Sequence, residues 1–123
     1  MQFDDLSYQV IGLAIQVHKT LGPGLLESAY QSCRAVEMTK AGIRYEKEKN
    51  IDIIYRENHI DSAFRADFVV ENKLVIETKC VSVISDIHIA QLLTYLKLTH
   101  IPVGLLLNFQ VKRMRDGIKR YVL

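Results

Sequence analysis

The chain has 123 residues, 49% hydrophobic and 24% charged, with sixteen Lys and Arg against fourteen Asp and Glu. That length fits one domain with a core of its own, and a net charge of +2 singles out no partner by bulk electrostatics. The composition excludes a low-complexity chain, and the absence of a Cys-x-x-Cys pair excludes a zinc ribbon. No apolar stretch reaches the ~18 residues of a membrane span, so no membrane association is expected. The opening MQFDDLSYQV has early acids and no cationic region, unlike a signal peptide, so a cytoplasmic protein with reduced thiols is expected.

Leu6, Val10, Leu13, Ala14, Val17 and Leu21 recur at helical spacing and predict a first helix over residues 7–21. The LGPG at its end breaks the pattern. A second helix is predicted over residues 25–41, stopped by Gly42, with Leu26, Ala29, Cys33 and Val36 as its core stripe. Residues 43–79 read as three strands, with turns near Glu57 and Asn58 and over residues 71–73. Ser85 or Asp86 caps a third helix reaching about Thr99, whose apolar line is Ile89, Leu92, Leu93 and Leu96. PVGLLLNF then predicts a buried strand and IKRYVL a last, edge strand. The order α-α-β-β-β-α-β-β predicts an α/β or α+β fold with a central mixed sheet flanked by helices. Within KRMRDGIKR, residues 112–120, five cations accompany one anion, a candidate phosphate-binding stretch or a solvated edge and its turn.

The hairpin RADFVVENKLVIETK carries the chemistry. A three-residue turn at residues 71–73 sets Asp67 opposite Glu77 and Arg65 opposite Lys79, all on one face. Ala66, Phe68, Val70, Leu74, Ile76 and Thr78 form the other face, toward the core, and Val69 and Val75 sit nearest the turn on the charged face. Two carboxylates about 5 Å apart repel by roughly 3 kcal/mol at an effective dielectric near 20. A divalent cation with hard oxygen ligands offsets that repulsion. The alternative is a plain surface network, in which Arg65 and Lys79 neutralise Asp67 and Glu77 without a metal.

Other residues join this hairpin. GLLESAY places Glu27 and Tyr30 three apart on the flank of the second helix, and QLLTYL places Gln91 and Tyr95 four apart on the third. An acid on an early helix, then Asp, then Glu-x-Lys, then Gln-x-x-x-Tyr resembles the PD-(D/E)XK nuclease superfamily, especially its RecB-like branch. GLLESAY matches the signature of the GxxExxY family, which is grouped with those proteins. The resemblance spans nearly the whole chain as one nuclease-like domain, residues 1–123. Ala66 stands where the superfamily motif has proline.

The resemblance implies a restriction-endonuclease-like core and metal-dependent hydrolysis of phosphodiester bonds. It makes Asp67 and Glu77 metal ligands, Lys79 the catalytic lysine, and Glu27 a further member of the acidic cluster. It has Gln91 and Tyr95 steady the site or touch the nucleic-acid backbone; Tyr30, paired with Glu27 on its helix, is a candidate for lining the same cleft. His18 matches the early histidine ligand of RecB-like enzymes, and His88 lies one turn before Gln91. His59 and His100 read as surface residues. The implied cofactor is Mg²⁺, with Mn²⁺ able to substitute. The implied partner is nucleic acid, DNA ahead of RNA, with a homodimer as one arrangement; Lys119 and Arg120, from the cationic stretch at residues 112–120, are further candidate contacts. The competing reading is a non-catalytic nucleic-acid-binding or regulatory module that keeps the fold.

Overall fold

A computed structural model describes residues 4–123. Helix α1 spans Asp5–Leu21. Its start is fixed by Asp4, which accepts the Ser7 N–H and the Ser7 hydroxyl at 2.8 Å each, so an unsatisfied helical donor finds a partner. Its end is fixed by Gly22 at φ 70°, whose N–H donates to the His18 carbonyl at 2.7 Å. Helix α2 spans Glu27–Lys40.

Strand β1 (Tyr45–Tyr55) and strand β2 (Asn58–Val70) form an antiparallel pair. Arg56 and Glu57 between them both have positive φ, as a two-residue hairpin turn of matching twist requires. Strand β3 (Leu74–Lys79) returns antiparallel to β2. Helix α3 (Asp86–Thr99) crosses over to strand β4 (Val103–Asn108), which lies parallel to β3. A short 3₁₀ turn, Met114–Gly117, leads to strand β5 (Ile118–Val122), antiparallel to β4. The five strands form one mixed sheet in the order β1-β2-β3-β4-β5.

Both faces of the sheet are covered. Val10, Ala14 and Val17 of α1 and Tyr30 and Met38 of α2 pack on Phe68, Val70, Leu74, Ile76, Leu105 and Leu107. On the opposite face Leu92 and Leu96 of α3 pack on Ala66, Val69, Val75 and Leu106. Leu105, Leu106 and Leu107 are each fully buried, and burying each contributes roughly 1.5–3 kcal/mol. Strands covered on both sides read as continuous apolar runs, which is why β4 carries no alternation. Among the described residues no helix is long and apolar enough to cross a membrane.

Two expectations from the sequence change. Leu26 and Val36, assigned to the core stripe of α2, are 77% and 54% exposed, and the buried face is Tyr30, Gln31, Arg34 and Met38 instead. Ala66 packs under α3, whereas Phe68 and Val70 face α1 and α2. An unbroken pleat would put all three on one face. The facing of β2 therefore reverses at Asp67. Opposite it on β1, Glu48 has φ 53° and drops out of the register that otherwise runs from Tyr45↔Val70 to Ile51↔Phe64, before a shift between Ile51 and Ile53.

Candidate functional site

The β2–β3 ladder runs only from Val70↔Leu74 to Phe68↔Ile76. At the next position the two carboxylates replace the backbone bonds. The Asp67 N–H donates to Glu77 Oε2 at 2.8 Å, and the Thr78 N–H donates to Asp67 Oδ2 at 2.8 Å. Each acid thus fills a ladder position on the partner strand, which accounts for a carboxylate in the middle of each β-forming run. Among the described residues, the second oxygen of each has no hydrogen bond or ion pair. Glu77 is only 5% exposed. Burial, and then the charge of Asp67, push its carboxyl up to about 8, against the opposing pull of Lys79.

The surface network does not form. Arg65 pairs with Asn50 on β1, is exposed, and has no ion pair within 4 Å among the described residues. Lys79 ends β3 beside Asn108 of β4 and is likewise in no ion pair, though its charge reaches Glu77. A further cation, which sequence reasoning passed over, is anchored to the same stretch of β3. Arg34 of α2 is 1% exposed, and its Nη1 donates to Thr78 Oγ1 at 2.7 Å. Its guanidinium carbon lies 4.9 Å from the Phe68 ring centre and 5.7 Å from that of Phe109. The signal was its spacing: Tyr30, Arg34 and Met38 recur every four residues.

Glu27 opens α2, where a negative side chain suits the helix N-terminus. Its charge reaches Glu77 and Cys80, but Glu27, Asp67 and Glu77 do not bring their oxygens within 4.8 Å of one another. Tyr95 is half-buried and stacks on Phe64 with ring centres 4.3 Å apart. Burial, then the charges of Glu77 and Asp67, push its hydroxyl up. Gln91 is exposed on the same helix.

Four expected site residues are occupied elsewhere or point away. Tyr30 is fully buried, stacks on Phe109 at 4.4 Å, donates to the Gly22 carbonyl and accepts the Leu25 N–H. It therefore braces the loop between α1 and α2 rather than lining a rim. The Nε2 of His18 lies 2.8 Å from the Val111 carbonyl oxygen, so that nitrogen ties α1 to the loop after β4 instead of facing the carboxylates. The Nδ1 of His88 accepts the Ser85 N–H at 3.0 Å in the cap of α3. Arg120 is paired through Nη2 with Asp4 Oδ2 at 2.9 Å, with its side chain only 9% exposed, so it fastens β5 to the start of α1. Lys119 is exposed on β5.

The cations that do face solvent lie just before them. Lys112, Arg113 and Arg115, with Lys19 of α1, surround a hollow of about 350 Å³. All four are exposed and in no ion pair among the described residues. Their loop leaves β4 directly after Asn108, the partner of Lys79, so it stands at the same end of the sheet as the carboxylates. A larger hollow, about 510 Å³, lies between the β1–β2 pair and the end of α3 and touches none of the carboxylates. A second convergence occurs far out on β1 and β2. His59 Nε2 lies 3.2 Å from Asp52 Oδ2 and 3.3 Å from Asp61 Oδ1, a grouping able to hold a metal ion. All three are exposed side chains of one hairpin, and exposed acidic groups commonly gather in this way without an ion.

A mixed sheet between helices, with interlocked carboxylates on neighbouring strands and a lysine two residues on, defines a restriction-endonuclease-like fold. The model of the PD-(D/E)XK nuclease superfamily matches residues 4–121, and the chain belongs to that superfamily. No curated protein matches the chain.

Proposed function

We propose that the protein hydrolyses phosphodiester bonds in nucleic acid, DNA ahead of RNA, with a divalent cation at Asp67 and Glu77. Within the superfamily, the GLLESAY stretch supports a place in the GxxExxY family of the RecB-like branch. The observation that carries the reading is the interlocked pair itself. Among the described residues, the two carboxylates meet with no side-chain cation within 4 Å, and each keeps one oxygen uncommitted. Hard oxygen donors of that kind suit Mg²⁺ or Mn²⁺. A cation bound there supplies Lewis acidity toward the phosphate and a water of lowered pKa.

The chain's own groups do the rest. The two backbone N–H bonds fix the carboxylates before any substrate arrives, which is preorganisation of the kind catalysis rewards. Lys79, in no ion pair among the described residues, places an ammonium whose charge reaches Glu77, where it can hold a water or meet developing phosphate charge. Glu27, at the start of α2, adds negative charge that reaches Glu77. Gln91 and Tyr95 stand on the helix that covers this face. Lys19, Lys112, Arg113 and Arg115 are the cations free to meet phosphates at this end of the sheet.

Cleavage assays on single-stranded DNA, duplex DNA and RNA, each with Mg²⁺ and with Mn²⁺, test the proposal. Lys79→Ala is expected to abolish cleavage and to move stability by no more than about 0.5 kcal/mol, because the residue closes a strand without filling the core. Equal cleavage by the variant and the wild type would falsify the assignment. Binding without cleavage on every substrate points to the non-catalytic module.

A further inference from the structure

Arg34 is not explained by hydrolysis alone. A buried arginine ordinarily has a carboxylate at hydrogen-bond distance, yet no ion pair within 4 Å forms here among the described residues. Nη1 donates to Thr78 Oγ1, and Nη2 is buried with no hydrogen-bond partner among the described residues. Phe68 and Phe109 lie against the guanidinium. Thr78 stands between Glu77 and Lys79, and its N–H is the one that Asp67 Oδ2 accepts. A fixed positive charge therefore sits one side chain away from the carboxylate pair, on the side facing α2.

We propose that Arg34 is an internal counter-ion of the Asp67–Glu77 pair, which balances the pair in the metal-free protein and sets how strongly the site takes a divalent cation. The inference rests on the reading that these two carboxylates hold such a cation. A guanidinium and a divalent ion attracted to the same carboxylates repel each other. Removing Arg34 then weakens the metal-free fold more than the metal-bound fold, and by linkage the metal binds more tightly. Burial, opposed by the charges of Asp67 and Glu77, brings the guanidinium down to about 10, which leaves it charged at neutral pH. A residue that served only packing would affect both forms equally.

The test compares wild type, Arg34→Met and Arg34→Lys by thermal unfolding in EDTA and in Mn²⁺, with Mn²⁺ affinity measured by calorimetry. The readout is the Mn²⁺-induced change, because a buried guanidinium has its own desolvation cost. In Arg34→Met the Mn²⁺-induced rise in Tm is expected to be at least twice that of the wild type, and Kd to fall about tenfold. Arg34→Lys, which keeps a charge, is expected within about twofold of wild type. Equal rises and equal affinities in wild type and Arg34→Met overturn the counter-ion role while leaving the metal site standing. A wild type that Mn²⁺ neither stabilises nor binds overturns the metal reading itself. Should Arg34→Met be unfolded in EDTA, Mn²⁺ is expected to restore its circular dichroism. Failure to do so at Mn²⁺ concentrations that stabilise the wild type also overturns the proposal.

Discussion

Burial and the neighbouring Asp67 both disfavour the ionised form of Glu77, so its carboxyl moves from the ordinary 4.5 to about 8. The sign of the consequence follows from linkage. Between pH 4.5 and about 8 the unfolded chain has lost this proton and the folded chain retains it, so stability falls as pH rises through that window. Glu77→Gln removes the titration yet keeps an oxygen to accept the Asp67 N–H. In chelator, the wild type is expected to lose stability from about pH 5 to pH 8 relative to this variant. By pH 8 the variant should be the more stable by on the order of 2–4 kcal/mol. Urea unfolding across that range decides it, and parallel pH curves would count against the buried, charge-strained carboxylate. Asp67 and Glu77 were legible as neighbours in the sequence because a three-residue turn puts their positions opposite each other, although the alternation that was to place them on one face fails at Asp67. Arg34 was not, because an arginine on an amphipathic helix is assigned to water. The carboxylates that balance it come from strands distant in sequence.

The same blindness operates at the level of α2. Its apolar residues Leu26, Ala29, Cys33 and Val36 suggested one stripe, but the packed face is set by Tyr30, Arg34 and Met38. A helix whose buried face includes a cation cannot be oriented by hydrophobicity alone. Strand β2 was misread in a related way. Period two fails at Asp67, where its side chain and not its backbone carbonyl completes the ladder with β3. Helix α3, by contrast, followed its pattern, with Leu92 and Leu96 fully buried as the spacing implied. What α3 rests on is Gly104 of β4. A Cβ there would stand 2.9 Å from Leu92 Cδ1 and 3.0 Å from Leu96 Cδ2. These are side-chain ends in a packed layer, so they yield only at the expense of their own rotamers. Gly104→Ala is expected to destabilise the protein by about 1–2 kcal/mol, read as a lower denaturation midpoint with unchanged slope. A neutral or stabilising result would mean that α3 sits more loosely on β4 than the distances show.

On the scale of the whole molecule, the order of elements and the mixed sheet were readable from the chain, since turns and caps punctuate it clearly. What could not be read was how unevenly the strands overlap. β1 and β2 have 11 and 13 residues, and β3 has 6, so beyond Ala66 the first two strands leave the sheet as a two-stranded ribbon. Residues 54–63 of that ribbon are exposed throughout. Two strands without a third are marginally stable in water. Hydrogen exchange is expected to divide the protein there: amides of residues 54–63 should exchange orders of magnitude faster than those of β3 and β4, which open only on global unfolding. Uniform protection along β2 would show that the ribbon is anchored by more than its own pairing. The boundary between the two regimes falls at Asp67. Its amide proton is held by the Glu77 carboxylate rather than by a carbonyl, so its exchange rate should follow that carboxylate's charge state, a one-proton gauge of the site that needs neither substrate nor turnover.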